Sequence, residues 1–92
     1  MRLDKFLKLS FLLKRREVAN EAISEGFILL NGKKVKPAFN IKKDDIIELD
    51  MWNFYKKVKV LGVPEKGNIS KKDIDKFIEV LEYRTKDTKD TL

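Results

Sequence analysis

Ninety-two residues make one small domain with room for a single modest core. With no cysteine and no histidine, the chain has no disulfide framework, no thiolate, and neither the commonest general base nor the commonest metal ligand, so binding is expected over catalysis, without metal or cofactor. Lysine and arginine number 21 against 15 acids, a net charge of +6 that favours polyanionic partners.

Leu3, Phe6 and Leu7 recur at i, i+3 and i+4, which predicts a short amphipathic helix over Leu3–Ser10. Phe11-Leu12-Leu13 then reads as a buried corner. Val18, Ala19, Ala22 and Ile23 mark the inner face of a second helix, Arg15 to Glu25. Gly26 is its natural stop, and the two alanines permit close approach of the helices.

The period then changes. Phe27 to Leu30 is a short apolar strand, and Asn31-Gly32 is a strong signal for a two-residue hairpin turn leading into Lys33–Lys36, which Pro37 ends. Lys42-Lys43-Asp44-Asp45 leads into a third strand, Ile46–Asp50. After a bend at Trp52-Asn53-Phe54, the alternation of Lys57-Val58-Lys59-Val60 marks a strand running from Tyr55 to Val63. Pro64 to Asn68 is a linker. Ser70, with Asp73 three residues on, is placed to cap a terminal helix whose apolar stripe is Ile74, Phe77, Ile78 and Leu81. Residues 85–92 are nearly devoid of apolar side chains and should fray, leaving 1–63 as the domain proper and 64–84 as linker and helix.

The charge is unevenly placed. Residues 1–16 carry Arg2, Lys5, Lys8, Lys14, Arg15 and Arg16 against Asp4 alone, a local +5. A helix start disfavours cations, yet Lys14-Arg15-Arg16 sits at one. Amide donors, helix dipole and side-chain charge there converge on an anion, which points to a nucleic-acid backbone. The competing reading of Lys5 and Lys8 is a solvated face paired to Asp4, and that of Lys14 is a cap on the first helix's carbonyls. Lys33 and Lys36, beside the hairpin turn, are secondary candidates for phosphate contacts.

The residues Met1-Arg2-Leu3-Asp4-Lys5-Phe6-Leu7, Lys14-Arg15-Arg16, Ala19, Ala22, Gly26, Asn31-Gly32-Lys33, Val35-Lys36-Pro37 and Lys43-Asp44-Asp45 resemble, in order and spacing, the S4 RNA-binding domain. The match covers about residues 1–50, and the chain as a whole is similar to stand-alone ribosome-associated members of the RqcP (YabO) and HslR heat-shock types. The resemblance implies an α+β, αL-type fold: two N-terminal helices on a small bent antiparallel sheet, with the terminal amphipathic helix added. It also implies ribosomal RNA of the large subunit and tRNA as ligands, and a nascent-chain tailing factor as partner in ribosome-associated quality control. The lack of cysteine and histidine points to a cytoplasmic protein, and a monomer is expected. Recycling of large subunits after heat shock is the alternative within the family. Where family members usually carry Arg near position 11, this chain has Phe11.

Other classes find less support. No phosphate-cradling glycine-rich run is present, and the carboxylates are scattered among lysines. A protein–protein adaptor using the terminal helix remains the competing hypothesis, and a two-helix DNA reader a third. Trp52, Phe54 and Tyr55 are expected to fill the core, with stacking on unpaired bases as their alternative. No run of about 20 apolar residues could span a bilayer, and no secretory signal is seen.

Overall fold

The computed structural model describes residues 1–65 and 67–86. Helix α1 spans Leu3–Leu9 and buries Leu3, Phe6 and Leu7, as their spacing requires. Its first amides, which a helix cannot satisfy internally, are taken up by the loop ahead of the third strand. Leu3 N–H donates to the Phe39 carbonyl (2.8 Å) and Asp4 N–H to that of Pro37 (3.2 Å). At the other end the Ser10 hydroxyl donates to the Phe6 carbonyl (2.7 Å) and the Phe11 amide to that of Lys8 (3.1 Å). Phe11 adopts φ +61°, the left-handed conformation that usually falls to glycine at a helix end. That reversal splits the expected corner. Leu12 and Leu13 are buried, but the Phe11 ring is 49% exposed, with Lys71 Nζ 5.5 Å from its centroid.

Helix α2 covers Arg16–Ser24 and turns Ala19, Ala22 and Ile23 inward, whereas Val18, expected on that face, is exposed. Gly26 stops it at φ +87°, with Gly26 N–H donating to Ile23 (3.1 Å) and Phe27 N–H to Ala22 (2.9 Å). Those two bonds form the paired closure that a left-handed residue at this position makes possible.

Five antiparallel strands follow: β1 (Ile28–Leu30), β2 (Lys33–Lys34), β3 (Ile46–Asp50), β4 (Phe54–Val60) and β5 (Ile78–Thr85), in spatial order β2-β1-β3-β4-β5. Asn31 (φ +52°) and Gly32 (φ +80°) make the hairpin turn between β1 and β2. One face of the sheet, Ile28 and Leu30, Ile47 and Leu49, Val58 and Val60, joins the helices' apolar residues in a single core. The alternation is what a sheet covered on one side should show.

The terminal amphipathic helix is not formed. Ser70 makes no side-chain cap, Lys71–Lys76 is a short 3₁₀ turn, and Ile78 onward is strand, pairing Ile78 with Val60 and Val80 with Val58. The physical reason lies in β4, whose outer edge would otherwise leave its N–H and C=O groups unpaired. A register shift opposite Lys57 and Val58 accommodates the extra residue in β5. Thr85, expected in a fraying tail, pairs with Phe54, and Lys86 N–H donates to Asn53 C=O (3.0 Å). The remainder of that expected tail, 87–92, lies outside the described residues.

The aromatic stretch meets the core expectation only at Phe54, which packs against the core. Trp52 stands 75% exposed at the β3–β4 turn, and Phe54 is half-buried. Tyr55 lies on the outer face of the sheet. Its hydroxyl donates to Glu48 Oε2 (2.6 Å); that bond, with burial, pushes its pKa up to about 12.

Candidate nucleic-acid interface

The packing of α1 against α2 opens a cleft of about 830 Å³ at the start of α2. Arg2 and Lys8 line it from the α1 side, and Lys14, Arg15 and Arg16 from the α2 side. Five cations therefore face one concavity, against the carboxylates of Asp4 and Glu17. No side chain caps the start of α2, so its first-turn amides are left to solvent or to an anion. The contrast with α1, whose first amides are taken by Phe39 and Pro37, identifies α2 as the open end.

Asp4 is the feature that sequence reasoning missed. The surface pairing with Lys5 or Lys8, the competing reading of those lysines, does not occur. Its carboxylate is 1% exposed and receives Arg2 Nε (3.2 Å, to Oδ1), Arg2 Nη2 (3.0 Å, to Oδ2) and Asn20 Nδ2 (3.3 Å, to Oδ2). Arg16 Nε lies 3.5 Å from Oδ1. Burial by itself would raise the pKa of this carboxyl, but the Arg2 and Asn20 hydrogen bonds and the Arg16 charge outweigh it, and the group is held below its ordinary value. Asp4 is therefore ionised at neutral pH. A signal existed in the sequence, since Asp4 stands one turn before Leu7 and beside Leu3, on the stripe that must be buried.

Among the described residues Lys8, Lys14 and Arg15 enter no ion pair, so their charges remain available. Lys14 does not cap α1, whose end is closed by Ser10 and Phe11; it faces the cleft. Three expected site residues lie elsewhere. Lys5 reaches toward the linker, where a Cβ on Gly67 would stand 3.4 Å from its Nζ. Lys33 and Lys36 are exposed, on β2 and the loop after it, and do not line the cleft. Among the described residues no group of three or more His, Cys, Asp or Glu is placed to hold a metal ion, and no helix is long and apolar enough to cross a membrane.

Known proteins resemble this chain in sequence and in fold. A family model of the S4 domain matches residues 1–47. A protein of Helicobacter pylori named RQC P-site tRNA stabilizing factor is 35% identical over 78 residues, 85% of this chain and 93% of that protein. A protein of the same name from Streptococcus pneumoniae is 38% identical over 81 residues, 88% of this chain and 90% of its own. Among solved structures, the trimeric heat shock protein 15 of Vibrio cholerae superposes with a TM-score of 0.74 at 21% identity, covering 99% of this chain and 86% of that one, a likeness of fold. The chain belongs to the S4 domain family and, within it, stands with the RQC P-site tRNA stabilizing factors.

Proposed function

We propose that the cleft grips the phosphate backbone of folded RNA on the large ribosomal subunit, in ribosome-associated quality control. The observation that carries this reading is the gathering of Arg2, Lys8, Lys14, Arg15 and Arg16 around an uncapped helix start. Recognition by shape through phosphates and 2′-hydroxyls requires placed cations and few base readers, which is what the cleft offers. The relatives' name adds the ligand, tRNA at the P-site; on this reading the tRNA is held beside ribosomal RNA on a subunit obstructed by peptidyl-tRNA. On this reading the protein is a cytoplasmic, monomeric binding module without catalysis of its own. It supports a separate factor that extends the stalled nascent chain with alanine. Lys5, Lys33 and Lys36 make outlying contacts to the same RNA.

The heat-shock recycling role rests on likeness of fold alone and is the second choice. The adaptor hypothesis loses its motivation, because the helix it required is strand β5. Filter binding to a large-subunit ribosomal RNA fragment across a salt series tests the proposal. The logarithm of the binding constant should fall linearly with that of salt, with a slope set by the number of phosphates neutralised. Equal competition by duplex DNA, or a flat salt response, would refute it.

A further inference from the structure

The cleft contains one feature that a simple positive surface would lack: a buried negative charge at its base. Asp4 binds the guanidiniums of two arginines that enter from different elements, Arg2 ahead of α1 and Arg16 at the first position of α2. Asn20, on the next turn of α2, holds the carboxylate from a third direction. Both arginine side chains nonetheless remain nearly half exposed, at 46% and 47%. A guanidinium has five N–H donors, and Asp4 takes two from Arg2. The rest remain for another acceptor. Without the carboxylate between them, the two like charges would repel, and each long side chain would spread over many rotamers.

We propose that Asp4 is a positioning residue for RNA: its carboxylate sets the spacing and orientation of the Arg2 and Arg16 guanidiniums so that together they meet a phosphate backbone. The inference rests on the reading of the cleft as a phosphate site. It makes a prediction opposite in sign to that of net charge. Removing a negative charge from a phosphate site should, by Coulomb attraction alone, strengthen RNA binding. If Asp4 positions the arginines, removing it weakens binding although the protein becomes more positive.

The test is Asp4→Asn in the full chain, measured by filter binding to the large-subunit ribosomal RNA fragment across the salt series, with thermal melting to verify folding. The expected result is a loss of about tenfold, on the scale of one charge-assisted hydrogen bond, and a shallower salt slope. Arg2→Ala and Arg16→Ala should cost much less in the Asp4→Asn background than in the native chain, because the three side chains act as one unit. Asn20→Ala gives a milder probe should Asp4→Asn not fold, since Asn20 is exposed on α2. It should reduce affinity about threefold, and Arg2→Ala should cost less in its background. Binding by folded Asp4→Asn as tight as or tighter than the native chain overturns the proposal. So do arginine effects that remain fully additive with Asp4→Asn or with Asn20→Ala. Failure of the native chain itself to bind the RNA with a salt-dependent constant would remove the phosphate reading beneath it, and is read from a different sample.

Discussion

Two buried aspartates make an instructive pair. Asp45, like Asp4, is almost wholly enclosed and held below its ordinary pKa: burial alone would raise it, but its hydrogen bonds with Asn31 and Lys42 prevail. Its partners are the Asn31 side-chain amide (3.0 Å), the Lys42 backbone amide (2.9 Å) and Lys42 Nζ (3.2 Å). Asn31 in turn accepts from Ile46 N–H (2.8 Å), and Asp44, at φ +75°, donates its N–H to Val60 C=O (2.7 Å). The Asn31 contacts tie the β1–β2 turn to the turn before β3, the Lys42 contacts close that second turn on itself, and the Asp44 amide fastens it to β4. Asp4 is surrounded instead by two arginines whose far sides open on a cleft. The same burial and the same direction of pKa shift thus accompany different roles. What distinguishes them is where the exposed cations lie: Arg2 and Arg16 line the cleft, and Lys42 does not.

The largest expected effect bears on Asp45. Asp45→Ala leaves an amide and a backbone N–H without acceptors and should lower stability by about 2–4 kcal/mol in urea unfolding, without changing the salt slope of RNA binding by the folded fraction. A change in that slope would erase the distinction. Next come Arg2→Ala and Arg16→Ala. Each should weaken RNA binding about tenfold and remove roughly one phosphate contact from the salt slope.

A third prediction concerns acid. Folding lowers both carboxyl pKa values, so the unfolded chain binds more protons than the folded one as the medium becomes acidic. Their stabilising contribution is therefore fully present above the unfolded value of about 3.9 and is lost as pH falls through the folded values. Urea midpoints measured at stepped pH should hold until near that range and then drop. Asp4→Asn and Asp45→Asn should each flatten the drop. The smallest effect is at Trp52, whose replacement by Ala should change stability by no more than about 0.5 kcal/mol, because the indole is 75% exposed. A larger loss would mean that the β3–β4 turn depends on that ring.

Much of the fold was legible locally. The spacing of Leu3, Phe6 and Leu7 marked α1, Gly26 marked the end of α2, and Asn31-Gly32 marked a turn whose two positive φ values the chain adopts. The run Ile46–Asp50 was a strand within the same bounds. The terminal segment was misread because Ile74, Phe77, Ile78 and Leu81 satisfy a helical period while Ile78, Val80 and Tyr83 also suit a strand interrupted by one bulged residue. Periodicity cannot choose between these; the unpaired edge of β4 does. The same limit hid the cleft's composition. Lys5 belongs with Arg2 to the basic stretch 1–16, yet it reaches the linker at Gly67.

The order of residues alone determined a small basic α+β chain with cations massed at one end, because charge count, apolar spacing and turn chemistry are local properties. Tertiary structure decided which of those cations share a cleft, and that a carboxylate counted as surface charge would be buried between two of them, Arg2 and Arg16. It also decided that the C-terminal segment would complete a sheet. Each of these depends on contacts between residues far apart in the chain, where the free energy of burying a charge or an open strand edge is settled by the available partners.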